Sequence, residues 1–116
     1  MSAGLRMSGE TLRVLGAMLE DPRASYYGLE LADIAGISPG TVYPMLARLE
    51  KHGLLESSWE RRRPADTHRP RRRLYRLTGL GEKVALREID EIAAFAKKAK
   101  RRPVGGRPAR PGLRPA

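Results

Sequence analysis

Two short stretches of this chain hold residue types that could act on a polyanion: Ser38-Pro39-Gly40-Thr41-Val42-Tyr43 and Arg69-Pro70-Arg71-Arg72-Arg73. Ser38 can cap a helix, and Pro39 suits its first position, where a missing N–H does no harm. With Gly40 following, the backbone N–H groups of that first turn can receive a phosphate, aided by the helix dipole. Thr41 and Tyr43 have the reach and polarity to meet base edges or thymine methyls in a major groove. Arg48, two turns along, can hold the flanking backbone. A plainer reading stands beside this one, with Ser38 a simple cap and Tyr43 a packing residue. Arg69, Arg71, Arg72 and Arg73 suit phosphate contact or insertion into a narrow minor groove. Arg61, Arg62 and Arg63 stand at the other base of the same segment.

Charge segregation supports a polyanionic partner. The net charge is +10, from 23 basic and 13 acidic residues. Residues 1–59 sum to −2, residues 60–77 to +6, residues 78–96 to −2 and residues 97–116 to +8. Solubility alone would not require such division. Catalysis has no comparable support. His52 falls at a helix end and His68 in a loop, no residue pair has metal-ligand spacing, and no serine has a plausible nearby base. Gly79-x-Gly81 is too short for a dinucleotide loop. The expectation is a non-enzyme with no cofactor and no metal.

The elements that must position these residues follow from the pattern. The 116 residues suit one domain, and 5% aromatic content makes the core largely aliphatic. With no cysteine, no apolar run long enough to span a membrane and no leader-like N-terminus, a cytoplasmic protein is expected. Residues 1–7 read as a flexible N-terminus. Ser8 caps a first helix to about Glu20, with Leu12, Leu15 and Leu19 on one face. Ser25 starts a second helix through Tyr26, Leu29, Ala32 and Ile34, ending near Gly36. Ser38 caps a third, with Val42, Met45 or Leu46, and Leu49 buried, and Gly53 ends it. Residues 54–59 and 73–77 alternate as two strands of a hairpin, joined by a polar segment long enough to predict a mobile tip.

Ala32, Gly36 and Val42 have the spacing of a helix-turn-helix, and the hairpin behind them makes a winged form. Thr78 caps a long last helix to about Lys100, with Gly79 and Gly81 weakening its first turn. Its stripe of Ala85, Ile89, Ile92, Ala96 and Ala99, flanked by Phe95, is expected to lie beyond the rest of the fold and to pack on a second copy. Residues 101–116 have little to bury and read as a disordered basic tail.

Three stretches carry a family resemblance: Tyr27-Gly28-x-Glu30-Leu31, the run from Ile37 to Leu55, and Arg72-Arg73-x-Tyr75-x-Leu77-Thr78. Together they resemble the PadR family of bacterial transcriptional regulators over residues from about 10 to 96. The resemblance implies a winged-helix homodimer joined through the C-terminal helix, and repression by operator binding that a small molecule relieves. The single C-terminal helix is similar to the short subfamily. Some short members hold flat aromatic ligands between aromatics at the dimer interface; here the last helix offers Phe95 alone, and Trp59 belongs to the hairpin.

The expected fold is mostly α with a small β-hairpin: a winged helix-turn-helix over residues 8–77, a dimerisation helix over 78–100 and the tail. The expected function is a sequence-specific DNA-binding regulator, a repressor acting on a palindromic operator in double-stranded DNA, with an unidentified inducer and no membrane association. The alternatives are a winged-helix module that binds protein and a nonspecific architectural DNA coat.

Overall fold

The computed structural model describes residues 7–61, 65 and 68–100. The expected flexible N-terminus is described only at Met7. The basic tail lies outside the described residues, as do Arg62, Arg63, Pro64, Asp66 and Thr67 of the wing.

Helix α1 spans Gly9–Leu19, capped by Ser8, whose Oγ accepts the Thr11 N–H at 3.1 Å. Its buried face is Thr11, Val14, Leu15 and Met18, with Leu12 and Leu19 at the margins. Of the three leucines expected on this face, Leu15 lies at its centre and Leu12 and Leu19 at its edge.

The expected second helix begins later than Ser25. Tyr26–Tyr27 form a short strand, β1, and α2 spans Gly28–Ala35. Two consecutive tyrosines favour extended backbone, and Glu30 Oε1 accepts the Tyr27 N–H at 2.8 Å, closing the helix start behind them. Leu31, Ala32 and Ala35 are buried, whereas Leu29 and Ile34, expected inside, are exposed. Gly36 ends α2 at φ 71°, a left-handed backbone that glycine adopts without strain.

Helix α3, Pro39–Lys51, starts as expected, with Ser38 Oγ accepting the Thr41 N–H at 3.3 Å. Val42, Met45, Leu46 and Leu49 point inward. Pro44 inside the helix has no N–H for the Gly40 carbonyl, and Gly40 lies at the exposed end, where solvent can serve that oxygen.

The expected hairpin forms, and β1 joins it to make a three-stranded antiparallel sheet of order β1-β3-β2. Strand β2, Leu55–Trp59, and strand β3, Arg73–Leu77, pair from Leu55↔Leu77 to Trp59↔Arg73, and β1 adds Tyr26↔Tyr75 on the other side of β3. The Glu60 N–H, donating to the Arg72 carbonyl at 2.8 Å, extends the ladder one step. Leu55, Tyr75 and Leu77 face the core.

Helix α4 spans Gly79–Lys100. Thr78 caps it, its Oγ1 accepting the Gly81 N–H at 2.9 Å while donating to the Gly53 carbonyl at 2.6 Å. Gly81 is more than a weak point of the first turn, because the helix backbone there lies directly against the Leu54 carbonyl. The stripe expected to project beyond the body begins inside it. Ala85 is fully buried in the chain's own core. Ile89 is half-buried, with Cδ1 3.7 Å from where a Cβ on Gly16 of α1 would stand. Packing of α4 against α1 covers these two turns, so the unpartnered part starts near residue 90.

Candidate nucleic-acid interface

The start of α3 is presented to solvent. Ser38, Pro39 and Gly40 are exposed and Thr41 is half-buried, its Oγ1 accepting from Ser38 Oγ at 3.2 Å. The two hydroxyls and the Gly40 N–H form a polar end on an otherwise packed helix; Pro39 has no N–H, and the Thr41 and Val42 N–H groups are taken by Ser38. Tyr43 is a packing residue that also reaches solvent. It is 43% exposed, yet its ring lies so close over Gly28 that an added Cβ there would stand 2.5 Å from Cε1. Gly28 thus lets the α2 backbone approach the ring, a function that the sequence reading did not assign. Arg48 is exposed in the last turns of α3.

The wing arginines approach this end of α3 across a cavity of about 250 Å³, lined by Tyr27, Gly28, Leu29, Tyr43 and Arg71 to Arg73. In the sequence the four arginines look equivalent; in the fold they differ. Arg69 Nη1 lies 2.7 Å from Glu60 Oε1, and Arg72 Nε lies 3.4 Å from the same oxygen. The Arg72 guanidinium also stacks on the Tyr27 ring, 3.9 Å from its centroid. Arg73 Nε donates to Ser57 Oγ at 3.0 Å, Ser57 donates to Glu50 at 2.6 Å, and Arg73 Nη2 lies 3.8 Å from that carboxylate. This ties the wing to the back of α3. Among the described residues, Arg71 interacts with the Trp59 ring alone, 5.7 Å from its centroid. Arg76, on β3 away from the tip, is paired with Glu56.

Glu60, unremarked in the sequence beyond the charge count, organises this group. The available signal was a lone acid at the foot of an arginine run. Burial pushes its carboxyl up, but donors from Arg69, Tyr27 and Arg72 outweigh that and bring it to about 2, from an ordinary 4.5. The folded value lies below the ordinary one, so the stabilisation is complete above pH 4.5 and is lost as pH falls toward 2. Trp59, the single tryptophan, sits 5.0 Å from the Arg73 guanidinium and reports on the wing. Acid titration followed by Trp59 fluorescence is expected to show the wing released in that window, and Glu60→Gln is expected to abolish the transition.

Along α4, Ile92 is 51% and Phe95 73% exposed, and Ala96 and Ala99 are exposed with them. Among the described residues no group of His, Asp and Glu could hold a metal ion, and no helix is long and apolar enough to cross a membrane.

The model of the transcriptional regulator PadR-like family matches residues 17–87, more than half of the chain and all of the winged unit from α2 to β3. The chain belongs to the PadR-like family of transcriptional regulators.

Solved structures agree with this PadR-like assignment. The chain is similar to a PadR family transcriptional regulator from Eggerthella lenta DSM 2243, at 25% identity and a TM-score of 0.61 over 78% of this chain and 81% of that one. It is similar to the PcaV transcriptional regulator from Streptomyces coelicolor, solved in complex with its natural ligand, at 26% identity and a TM-score of 0.61 over 78% of this chain. The aligned region is 59% of the PcaV chain. The fold is shared with smu.1704 from Streptococcus mutans UA159, with 24% identity, a TM-score of 0.63, and coverage of 92% of this chain and 98% of that one. Comparison with curated protein sequences gives no match. The exposed start of α3 and the arginine-lined wing thus belong to a PadR-like transcriptional regulator.

Proposed function

We propose that this PadR-like regulator is a repressor that binds a palindromic operator as a homodimer. In that reading residues 8–77 form the DNA-binding unit, residues 78–100 the dimerisation helix and 101–116 a basic tail, with an unidentified small molecule as inducer. The observation that supports it is that Tyr43 of α3 and the wing arginines Arg71 to Arg73 line one cavity, with the start of α3 exposed. Phosphate contacts from the wing and backbone N–H groups set the register, and Thr41 and Tyr43 read base edges. A dimer carries two such helices to two half-sites. The exposed apolar positions Ile92, Phe95, Ala96 and Ala99 supply the partner face, whereas Ala85 and Ile89, expected with them, pack within the chain itself.

Footprinting on the DNA upstream of its own gene tests the reading. One protected palindrome is expected. Thr41→Ala and Tyr43→Ala should each lower discrimination against a wrong base by about 1–3 kcal/mol while leaving binding to unrelated duplex nearly unchanged. Equal protection of all sequences would contradict it.

A further inference from the structure

Glu60 lies in the most cationic described segment of the chain, and its side chain is only 11% exposed. Its two oxygens take four hydrogen bonds. Oε2 accepts from the Tyr27 hydroxyl at 2.9 Å. Oε1 accepts from Arg69 Nη1 at 2.7 Å, from the Arg72 backbone N–H at 3.1 Å and from Arg72 Nε at 3.4 Å. One negative charge, two acceptor oxygens, two guanidinium groups and a backbone N–H are also the components of a phosphodiester contact. The Tyr27 ring against Arg72 fixes the plane of that guanidinium as well. Both arginines therefore already hold, within the chain, the kind of group that DNA would offer them.

Resting on the DNA-binding reading above, we propose that Glu60 is a specificity-determining residue: an internal stand-in for phosphate that withholds Arg69 and Arg72 from the DNA backbone and leaves the wing's phosphate contacts, among the described residues, to exposed arginines it does not hold, Arg71 and Arg61. Backbone contact is the same for every sequence, and each phosphate neutralised by a cation adds a slope of about 0.9 to the dependence of log K on log salt. A wing with all its arginines available would hold any duplex. Taking two of them out lowers that common term, so base reading from α3 decides a larger share of the binding. The arrangement also explains why a carboxylate is retained in a surface that meets a polyanion, where its own charge opposes binding.

The test is the salt dependence of binding by the full chain to a short fluorescein-labelled duplex of arbitrary sequence. Arg71→Gln is expected to make the slope shallower by about 0.9, one phosphate contact, whereas Arg69→Gln and Arg72→Gln leave it nearly unchanged. Glu60→Gln is expected to tighten binding to this duplex and steepen the slope by about 0.9–1.8, one or two new contacts. The triple variant Glu60→Gln/Arg69→Gln/Arg72→Gln should return to the wild-type slope, because the gain passes through those two arginines. A slope unchanged in Glu60→Gln, or a steepening that persists in the triple variant, would overturn the proposal. So would Arg72→Gln acting like Arg71→Gln, a comparison that stands even if Glu60→Gln fails to fold. Wild-type protein with no salt-dependent affinity for any duplex would instead sink the DNA-binding reading itself, and is seen before any variant is made.

Discussion

Gly81→Ala is expected to destabilise the protein by about 3 kcal/mol or more, the upper end of what overpacking does in a well-filled core. The added Cβ would fall on the Leu54 carbonyl oxygen, 2.8 Å from the carbonyl carbon and 3.1 Å from the Leu54 Cα. These are backbone atoms and cannot swing aside as a side chain would. Leu54 is held from both directions. Its N–H donates to the Leu49 carbonyl at 2.9 Å, and its carbonyl accepts from the Thr78 N–H at 3.1 Å. Relief therefore requires the first turn of α4 to move, which would break the Thr78 cap and lift Ala85 from the core. Gly79→Ala is the control. Nothing stands within 4 Å of its added Cβ, so helix propensity alone applies, favouring alanine by up to about 1 kcal/mol. Urea unfolding of the two variants should move the midpoint in opposite directions. Equal effects would mean that the contact at Gly81 yields easily.

Ile92→Glu is expected to turn the proposed dimer into a monomer and to lower operator affinity by about 100-fold or more, as when two linked half-sites become one. Residues 91–100 are exposed throughout, and they carry Ile92, Phe95, Ala96 and Ala99 on a helix that no other described residue covers there. An unpacked helical segment of this length is marginal in water. In the proposed dimer the last turns of α4 draw their stability from the partner, and a charge at Ile92 would be buried without a counter-ion in that seam. Light scattering at micromolar concentration reads the oligomeric state, and far-ultraviolet circular dichroism should show helix lost along with the dimer. A variant that stayed dimeric would place the interface elsewhere. A variant that became monomeric but bound the operator as tightly as the wild type would disprove the two-half-site arrangement.

Much of this regulator is visible in its residues. The cap at Ser38, the proline after it and the spacing of Val42, Leu46 and Leu49 define α3 almost to the residue, because local rules of capping and periodicity act within a few positions. Gly36 and Gly53 mark their turns because positive φ is a local demand. The run from Gly28 to Leu55 carries enough of these signals together to show the family. The charge division along the chain likewise points to a polyanion without any coordinates.

Other features depend on residues far apart in the chain. Tyr26 and Tyr27 read as the opening of a helix until β3 is available to pair with them. Gly81 looks like a weak helix position and Gly28 shows no packing role, because the groups that press on them, the Leu54 carbonyl and the Tyr43 ring, come from other elements. Ala85 and Ile89 share a periodic stripe with Ile92 and Ala96, and only the position of α1 divides the covered part from the uncovered part. Four wing arginines of one type are separated into paired and available groups by Glu60, Ser57 and Glu50, which reach them through the strand register and through the packing of β2 on α3. Periodicity and capping are written in neighbouring residues, so they survive without a structure. Close approach and charge pairing are properties of distances, and those exist only once the chain has folded.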